Sequence, residues 1–342
     1  MLGLRVAVAL PHLGVYGGIR RFLELGEVWA RRGLTVAIFV PETGAQKPWL
    51  PFSGPILPLR ELPLGGWDVV ISPDPELFLS CRCPGALRVY YSVLEKAPNE
   101  GQALRAADMV MANSAGMRRY LARKGIQALD AAGGVNLECF HPPVPDPRAK
   151  GSVPVRVLVY GRLSRKRKGT WVAVRAIEQA AIASRVPVEL TLFDAPPDGG
   201  APALPRPLRI PHRWVLNPSQ PELAELYRAS DLFVSAERRA GWCNTAAEAM
   251  ASGTTVVCTR SGTEDFAFDG WTASVTRWRW SWTLASAIRP LLLDPGRRAT
   301  LAARGLERIR EYSWERIADR IEQGIGLRLG GVRGRDLAQA SR

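Results

Sequence analysis

Apolar and polar positions follow one another in the same order at two places in the chain. Residues 5–10 form a short apolar run that predicts a buried strand, and glycine-rich turn residues follow it. Residues 19–32 then place apolar side chains three and four positions apart, which predicts a helix that ends near Gly33. The apolar run 34–40 predicts the next strand. The segment is therefore predicted to form a β-α-β unit.

The same pattern returns in the second half of the chain. A strand is predicted over residues 156–160, a basic loop follows, a helix begins at Thr170, and a second strand covers 187–193. Two such starts predict an α/β protein with two parallel, doubly wound sheets. Because ligands of these sheets bind beyond the carboxyl ends of the strands, we expect two facing Rossmann-like domains with a ligand in the cleft between them.

A proline-rich segment marks the boundary between the two halves. Residues 141–154 contain five prolines, which are poorly accommodated in helix interiors and central strands. We therefore predict a first domain over residues 1–145 and a second over 152–312. Residues 313–327 are predicted to form a final helix, and 328–342, which lack apolar periodicity, a flexible tail.

Composition and charge restrict the function classes. Hydrophobic residues make up 46% of the 342 residues and charged residues 23%, as in ordinary globular proteins. The sequence predicts neither a signal peptide nor a transmembrane helix, so we expect a cytoplasmic protein. The net charge is +14, of which +10 lies after residue 150. This excess suits an anionic ligand such as a diphosphate, or an anionic membrane surface, and a solvated basic face explains it equally well. No nucleic-acid-binding motif accompanies it, and no nucleic-acid partner is expected.

Cysteine and histidine give no indication of a metal centre. The chain has five cysteines, an odd number, and they are scattered without paired CxxC spacing. It has three histidines. We therefore predict free thiols, no structural disulfides and no metal site.

The first candidate ligand-binding element is a pair of glycines between a predicted strand and a predicted helix. Gly17 and Gly18 allow close approach of a ligand to the backbone, and the helix start offers unpaired N–H groups. The spacing departs from the dinucleotide fingerprint, which argues against a dehydrogenase. An ordinary tight turn is the alternative interpretation.

The second candidate element is a cationic loop over residues 161–169, here called the basic loop. Its cations follow directly after a predicted strand: Arg162, Arg165, Lys166, Arg167 and Lys168. Crowded like charges repel one another unless an anion neutralises them. The planar fork of Arg162 and the mobile ammonium of Lys168 suit a diphosphate. A solvated basic loop is the alternative.

The third candidate element follows a strand predicted over residues 232–234. A loop leads into a helix that we expect Asn244 to cap and Gly253 to end. The loop amides of 241–245 are predicted to point at an anion. The carboxylate of Glu248 suits two hydroxyls, as on a ribose, although compensation of the helix dipole explains it as well.

In this order and spacing, these motifs resemble family 4 of the retaining glycosyltransferases, which have the GT-B fold, and the resemblance covers nearly the whole chain. The matching segments are 134–142, 161–169, 223–231, 248–257 and 313–315. The resemblance implies transfer of a hexosyl unit from a nucleotide diphosphate sugar to a glycan or lipid-linked acceptor, as in polysaccharide biosynthesis. It also implies that the final helix crosses back to the first domain.

By this resemblance, Arg162 and Lys168 would be the catalytic residues, because they would bind the diphosphate and stabilise the departing nucleotide. Glu248 would hold the ribose. The remaining donor-binding residues would be Gly17, Gly18, Gly241, Trp242, Cys243, Asn244 and Thr245. Neither a metal nor a cofactor is implied.

Two departures from the family pattern leave the activity open. Ala240 stands where the family carries the first glutamate of Glu-x7-Glu, and Glu237 could replace it only through a different loop path. Residues 90–95 faintly resemble bacterial rhamnosyltransferases, so Tyr91 and Glu95 are candidate sugar or acceptor contacts and a deoxyhexose donor is favoured. The alternatives are a catalytically degenerate subunit that binds nucleotide sugars, and a nucleotide-sugar epimerase, against which the scarcity of histidine argues.

Two further features bear on the acceptor. A predicted helix carries a basic face that suits peripheral contact with an anionic membrane, or merely solvent: Arg118, Arg119, Arg123 and Lys124. Three tryptophans alternate with arginines: Trp278, Trp280 and Trp282. Stacking on carbohydrate is one interpretation of the tryptophans, and we favour partial burial against the terminal helix.

Overall fold

The computed structural model describes residues 3–14, 17–41, 47–143, 154–196 and 199–340, with only the backbone of 331–340. The chain divides into two units. The first consists of residues 1–134 and 314–342, and the second of Val135–Ser313. Most of the proline-rich segment, 144–153, lies outside the described residues.

The first unit contains a seven-stranded parallel sheet. Its strands are β1 (Arg5–Ala9), β2 (Thr35–Val40), β3 (Ile56–Pro58), β4 (Val69–Ser72), β5 (Leu87–Ser92), β6 (Met109–Ala112) and β7 (Leu129–Asp130). They are ordered β3-β2-β1-β4-β5-β6-β7. The helices of this part are α1 (Gly17–Arg31), α2 (Pro75–Ser80), α3 (Glu100–Ala106) and α4 (Ala115–Ala122).

The second unit contains a six-stranded parallel sheet. Its strands are β8 (Val155–Tyr160), β9 (Val188–Asp194), β10 (His212–Leu216), β11 (Leu232–Ser235), β12 (Thr255–Thr259) and β13 (Ser274–Thr276), and they are ordered β10-β9-β8-β11-β12-β13. Its helices are α5 (Thr170–Ser184), α6 (Gln220–Arg228), α7 (Asn244–Ala251), α8 (Ser281–Leu293) and α9 (Pro295–Ile309).

Both sheets confirm the predicted fold class of two parallel Rossmann-like α/β domains. In each sheet the second strand pairs with one edge of the first strand, and a later strand pairs with the other edge. Thus β1 lies between β2 and β4, and β8 lies between β9 and β11. Such a reversal of strand order leaves a crevice at the carboxyl ends of the two inner strands. The basic loop begins at the end of β8, on this crevice of the second sheet.

The terminal helix α10 (Trp314–Ala340) belongs to the first unit and packs on α1. Arg32 lies 2.8 Å from a carboxylate oxygen of both Asp319 and Glu322. Ile321 and Ile325 are buried. The predicted tail over residues 328–342 was wrong, because the helix continues through Ala340 instead of ending near 327.

The unit boundary also differs from the predicted one, since the second unit begins at Val135 and not after residue 145. The amide of Val135 donates a hydrogen bond to the Tyr312 carbonyl at 2.8 Å. The Phe140 ring lies 6.0 Å from the Tyr227 ring, centroid to centroid. These contacts bind the segment before the prolines to the second unit.

Candidate active site

The basic loop is held between the ends of β8 and β11. It contains a single turn of 3-10 helix over Lys166–Lys168, and Gly169 follows with φ of 68°. A side chain at Gly169 would bring its Cβ to 2.1 Å from the Ala236 carbonyl oxygen, so only glycine allows this approach. The hydroxyl of Thr170 donates to the Tyr160 carbonyl at 2.9 Å.

The two predicted catalytic cations lie at this crevice and pair with buried carboxylates. The Lys168 ammonium is 2.6 Å from Glu237 Oε1, and Arg162 Nη1 is 3.2 Å from Asp194 Oδ1. The side chains of Lys168 and Arg162 are 22% and 16% exposed, whereas those of Glu237 and Asp194 are 4% and 1% exposed. The protein itself thus offsets part of the charge that we expected an anion to neutralise.

Arg162 also donates to the carbonyl oxygen of Ala195. The Lys168 ammonium lies 5.5 Å from the centroid of the Tyr160 ring. Lys168, Tyr160 and Glu237 line a small recess together with Thr245 from the first turn of α7. The structure therefore brings the cation of the basic loop and the start of α7 together within one unit.

The other three cations of the loop point outward. Arg165, Lys166 and Arg167 are exposed, and their backbone is fixed from two sides. The Arg238 amide donates to the Arg167 carbonyl at 2.8 Å, and Arg279 Nη2 donates to the Lys166 carbonyl at 2.8 Å. These bonds fix the loop without using the charges of its three exposed side chains.

The loop before α7 separates Ala240 from Glu237. Arg239 adopts a left-handed conformation with φ of 62°, and the Ala240 amide donates to Ser261 Oγ at 2.9 Å. Ala240 is thereby held near Ser261, while the carboxylate of Glu237 lies beside Lys168. The neutral thiol of Cys243 donates to Glu237 Oε2 at 3.7 Å, and burial raises the pKa of this thiol to about 11.

Two predictions for this loop were wrong. The cap of α7 is Cys243 rather than Asn244, which is the first residue of the helix, and no side chain caps it. The Cys243 amide donates to the Gly262 carbonyl at 2.8 Å, so this hydrogen bond replaces the predicted contact with the donor. Asn244 and Thr245 are half-buried, as is Gly241.

The side chain of Trp242 belongs to the core of the second unit. Its ring lies 4.9 Å from the Phe266 ring and 5.3 Å from the Tyr312 ring, centroid to centroid. The residue is buried. Its indole therefore packs in the core, whereas the predicted contact of this residue with a donor is through its backbone amide.

Glu248 lies on α7 and is buried, and it accepts a hydrogen bond that the sequence did not reveal. The Tyr227 hydroxyl of α6 donates to Glu248 Oε2 at 3.1 Å. The Tyr227 ring packs against Phe193 and Phe233, with centroids 5.9 and 5.6 Å away. Because this aromatic cluster fixes Tyr227, the hydrogen bond from its hydroxyl orients the carboxylate of Glu248.

The first unit places its predicted residues differently. Gly17 and Gly18 are the exposed first residues of α1, and among the described residues outside this helix turn no atom lies within 4 Å of a Cβ built at Gly18. Tyr91 is buried: Arg21 Nη1 donates to its hydroxyl at 2.5 Å, and the hydroxyl donates to the Ala131 carbonyl. Tyr91 is thus wrong as a sugar contact. Glu95 is exposed.

The features assigned to the acceptor also differ from expectation. Trp278, Trp280 and Trp282 are 56%, 61% and 64% exposed, so the predicted burial against the terminal helix was wrong. On α4, Arg118 pairs with Asp130, and Lys124 lies 2.7 Å from Glu100. Carboxylates therefore offset at least part of the predicted basic face. Within the described part of the chain, no helix has the length and apolarity needed to cross a bilayer.

Comparison with known proteins gives the following matches. Residues 154–294 match the family model described as glycosyl transferases group 1. The lipopolysaccharide core biosynthesis mannosyltransferase LpcC of Rhizobium leguminosarum bv. viciae is 31% identical over 203 residues, which cover 55% of this chain and 56% of that protein. The D-inositol 3-phosphate glycosyltransferase of Xylanimonas cellulosilytica is 28% identical over 243 residues, 64% of this chain and 57% of that protein. The chain thus spans somewhat more than half the length of these relatives.

Solved structures share the fold over nearly the whole chain. Sucrose-phosphate synthase from Thermosynechococcus elongatus superposes with a TM-score of 0.76 at 21% identity, covering 96% of this chain and all of that one. Anabaena Alr3699/HepE in complex with UDP and glucose superposes with a TM-score of 0.72 at 14% identity, covering 94% and 99%. At these identities the similarity establishes the fold and not the substrate.

Proposed function

We propose that the chain transfers a hexosyl or deoxyhexosyl unit, with retention of configuration, from a nucleotide diphosphate sugar to a glycan or lipid-linked acceptor. The match of residues 154–294 to the group 1 glycosyl transferases supports this proposal. The observation that carries this proposal is the position of Arg162 and Lys168. Lys168 lies on a recess with Thr245 of the first turn of α7, and Arg162, at the end of β8, pairs with Asp194 at the end of β9.

The diphosphate of the donor is proposed to lie against Lys168 and Arg162. When the bond between the anomeric carbon and the diphosphate breaks, the electron pair leaves with the nucleotide, and negative charge increases on the phosphate oxygens. A fixed ammonium and guanidinium stabilise that charge more than the charge of the bound donor. The acceptor oxygen then forms the new bond to the anomeric carbon, and its proton passes to an oxygen of the departing diphosphate.

The carboxylates that hold these cations have a role in this proposal. Lys168 has only limited freedom, because Glu237 and the Tyr160 ring contact its ammonium. A group held in this way needs little reorganisation when charge develops on the leaving group. Glu237 lies on the same recess and is proposed to supply the carboxylate that Ala240 lacks, facing the transferred sugar.

Glu248 is proposed to bind the ribose hydroxyls, with its orientation set by Tyr227. Relatives support the class of donor: one is named a mannosyltransferase, and a structural neighbour was solved with UDP and glucose.

A panel of nucleotide sugars tests the proposal. We expect purified protein to release free nucleotide from at least one of them, to do so equally well after treatment with EDTA, and to give a product whose anomeric proton coupling matches that of the donor. If nucleotide raises the melting temperature but no sugar is transferred to any acceptor or to water, the chain is instead a nucleotide-sugar-binding subunit.

A further inference from the structure

Three exposed tryptophans form a surface on the second unit that the proposed transfer reaction does not use. Trp278 and Trp280 precede α8, and Trp282 lies in its first turn. Their side chains are more than half exposed, which is costly for large apolar rings unless something covers them. We call these residues, with the exposed Arg277 and Arg289, the tryptophan surface.

The rings are held in place rather than left on a loose loop. Thr283 Oγ1 lies 2.8 Å from the carbonyl oxygens of both Trp278 and Trp280. On the inner side of α8, Leu284 and Ile288 are fully buried in the core of the second unit. The helix is thus anchored by its apolar face, and this anchoring directs Trp282 outward.

Cations continue the surface along α8. Positions 282, 286, 289 and 293 recur at spacings of four and three and share one exposed side of the helix. They place Arg289 and the 55% exposed Leu293 in line with Trp282. Next to Trp278, the Arg277 guanidinium lies 5.1 Å from the centroid of its ring.

The surface carries charge of one sign. Residues 271–293 contain three arginines and neither aspartate nor glutamate. The third, Arg279, donates to the Lys166 carbonyl and so joins the tryptophans to the exposed cations of the basic loop. Burial and the neighbouring Arg238 lower the pKa of Arg279, as expected where cations gather.

We infer that the tryptophan surface docks on an anionic lipid bilayer. Tryptophan rings are favoured at the level of the headgroups, where the apolar ring is covered and the indole N–H remains hydrated. Arginines beside them pair with lipid phosphates. A neutral glycan fits less well, because the segment 277–283 offers no carboxylate or amide side chain to bind sugar hydroxyls. This docking would bring the basic loop, and with it the proposed donor site, close to the membrane.

Flotation with vesicles tests the inference without any donor or acceptor. The full chain is expected to bind vesicles of phosphatidylglycerol and phosphatidylcholine, and to bind pure phosphatidylcholine much more weakly. The triple variant Trp278→Ala, Trp280→Ala, Trp282→Ala is expected to lose about tenfold or more in partitioning, since the apolar area of three rings is lost. Equal binding by this variant, or no binding of the unaltered protein to anionic vesicles, would overturn the inference.

A matched pair of charge variants locates the contact. Arg277→Ala with Arg289→Ala and Arg119→Ala with Arg123→Ala each remove two cations, the first pair from the tryptophan surface and the second from the region of α4. We expect only the first pair to weaken binding to anionic vesicles. Loss with the second pair alone would move the contact to α4 and contradict the inference.

Two readouts keep a misfolded variant or a protein interface from being mistaken for support. The triple variant must keep its melting temperature and its rate of nucleotide release in solution. Bromine-labelled lipid must quench the tryptophan fluorescence of the unaltered protein, and it must not quench the fluorescence of the tryptophans that remain in the variant. If the unaltered protein is instead a dimer that the triple variant dissociates, the surface is a protein interface and the inference fails. The rate of nucleotide release tests the proposed function separately.

Discussion

The two sheets share a strand order but place different chemistry at the carboxyl ends of their strands. In the second sheet, Lys168 and Arg162 each meet a buried carboxylate there. In the first sheet, neutral side chains at the strand ends bond to the backbone: Ser72 Oγ donates to the Ala9 carbonyl at 3.0 Å, and Asn113 Nδ2 to the Val93 carbonyl at 3.2 Å. A reversal of strand order creates a crevice in either case, and the side chains decide whether it can hold a diphosphate.

The largest effect is expected from removing the ammonium of the second sheet. Lys168→Ala should lower the rate of sugar transfer by about 10²- to 10³-fold, because one preorganised charge is lost from the leaving group. Initial rates of nucleotide release measure this. The control is Lys166→Ala, which removes an exposed cation from the same loop and should retain the rate within about threefold. Similar losses in both variants would show that the loop acts only through its total charge.

The second-largest effect is expected from removing the buried carboxylate of Glu237. Glu237→Ala leaves Lys168 mostly buried without its partner and should lower the free energy of unfolding by about 2 to 4 kcal/mol. Chemical denaturation measures the change. Replacing both residues by methionine should recover most of this stability but none of the transfer activity, since no unpaired charge remains. Recovery of activity in the double variant would contradict the proposed role of the pair.

Two glycines sharpen the comparison between the units. Gly169→Ala puts a Cβ against the Ala236 carbonyl at positive φ and should cost about 2 kcal/mol or more of stability. Gly18→Ala meets open space and should change stability by less than about 0.5 kcal/mol. If Gly18 meets the donor, its variant should still raise the KM for the donor severalfold. An unchanged KM would leave the Gly-Gly turn with no role in binding.

The smallest effect is expected at the hydroxyl that orients Glu248. Tyr227→Phe removes one hydrogen bond from a buried carboxylate and should cost about 1 to 2 kcal/mol of stability. Binding of the nucleotide should weaken severalfold. A nucleotide that lacks the ribose hydroxyls should bind the variant and the unaltered protein equally well. Should the variant weaken both nucleotides to the same degree, Glu248 would be acting on the fold alone.

The sequence predicted the sheets well because their determinants are local. The apolar run ending at Tyr160 and the turn that closes at Gly169 both need only neighbouring residues. The partners of the cations were not predictable in this way. Asp194 ends a different strand, and Glu237, which follows β11, lies 69 residues from Lys168 in the sequence.

Burial of single aromatic residues was the other failure. Tyr91 lies near the end of β5, and its hydroxyl contacts Arg21 and Ala131, which are far away in sequence. Trp280 and its neighbours read as apolar positions that require burial, yet the anchoring of α8 through Leu284 directs them outward. An apolar residue indicates that its side chain favours a contact that covers it. Which group makes that contact depends on the tertiary structure.

Calorimetric titration of the nucleoside diphosphate tests the central claim most directly. The unaltered protein and the variant with both Arg162→Ala and Lys168→Ala are titrated under identical salt conditions. We expect the unaltered protein to bind the nucleotide, and the variant to bind it at least about a hundredfold more weakly, because both charge-assisted contacts to the diphosphate are gone. Equal affinity of the two proteins would show that the diphosphate lies elsewhere and would contradict the account.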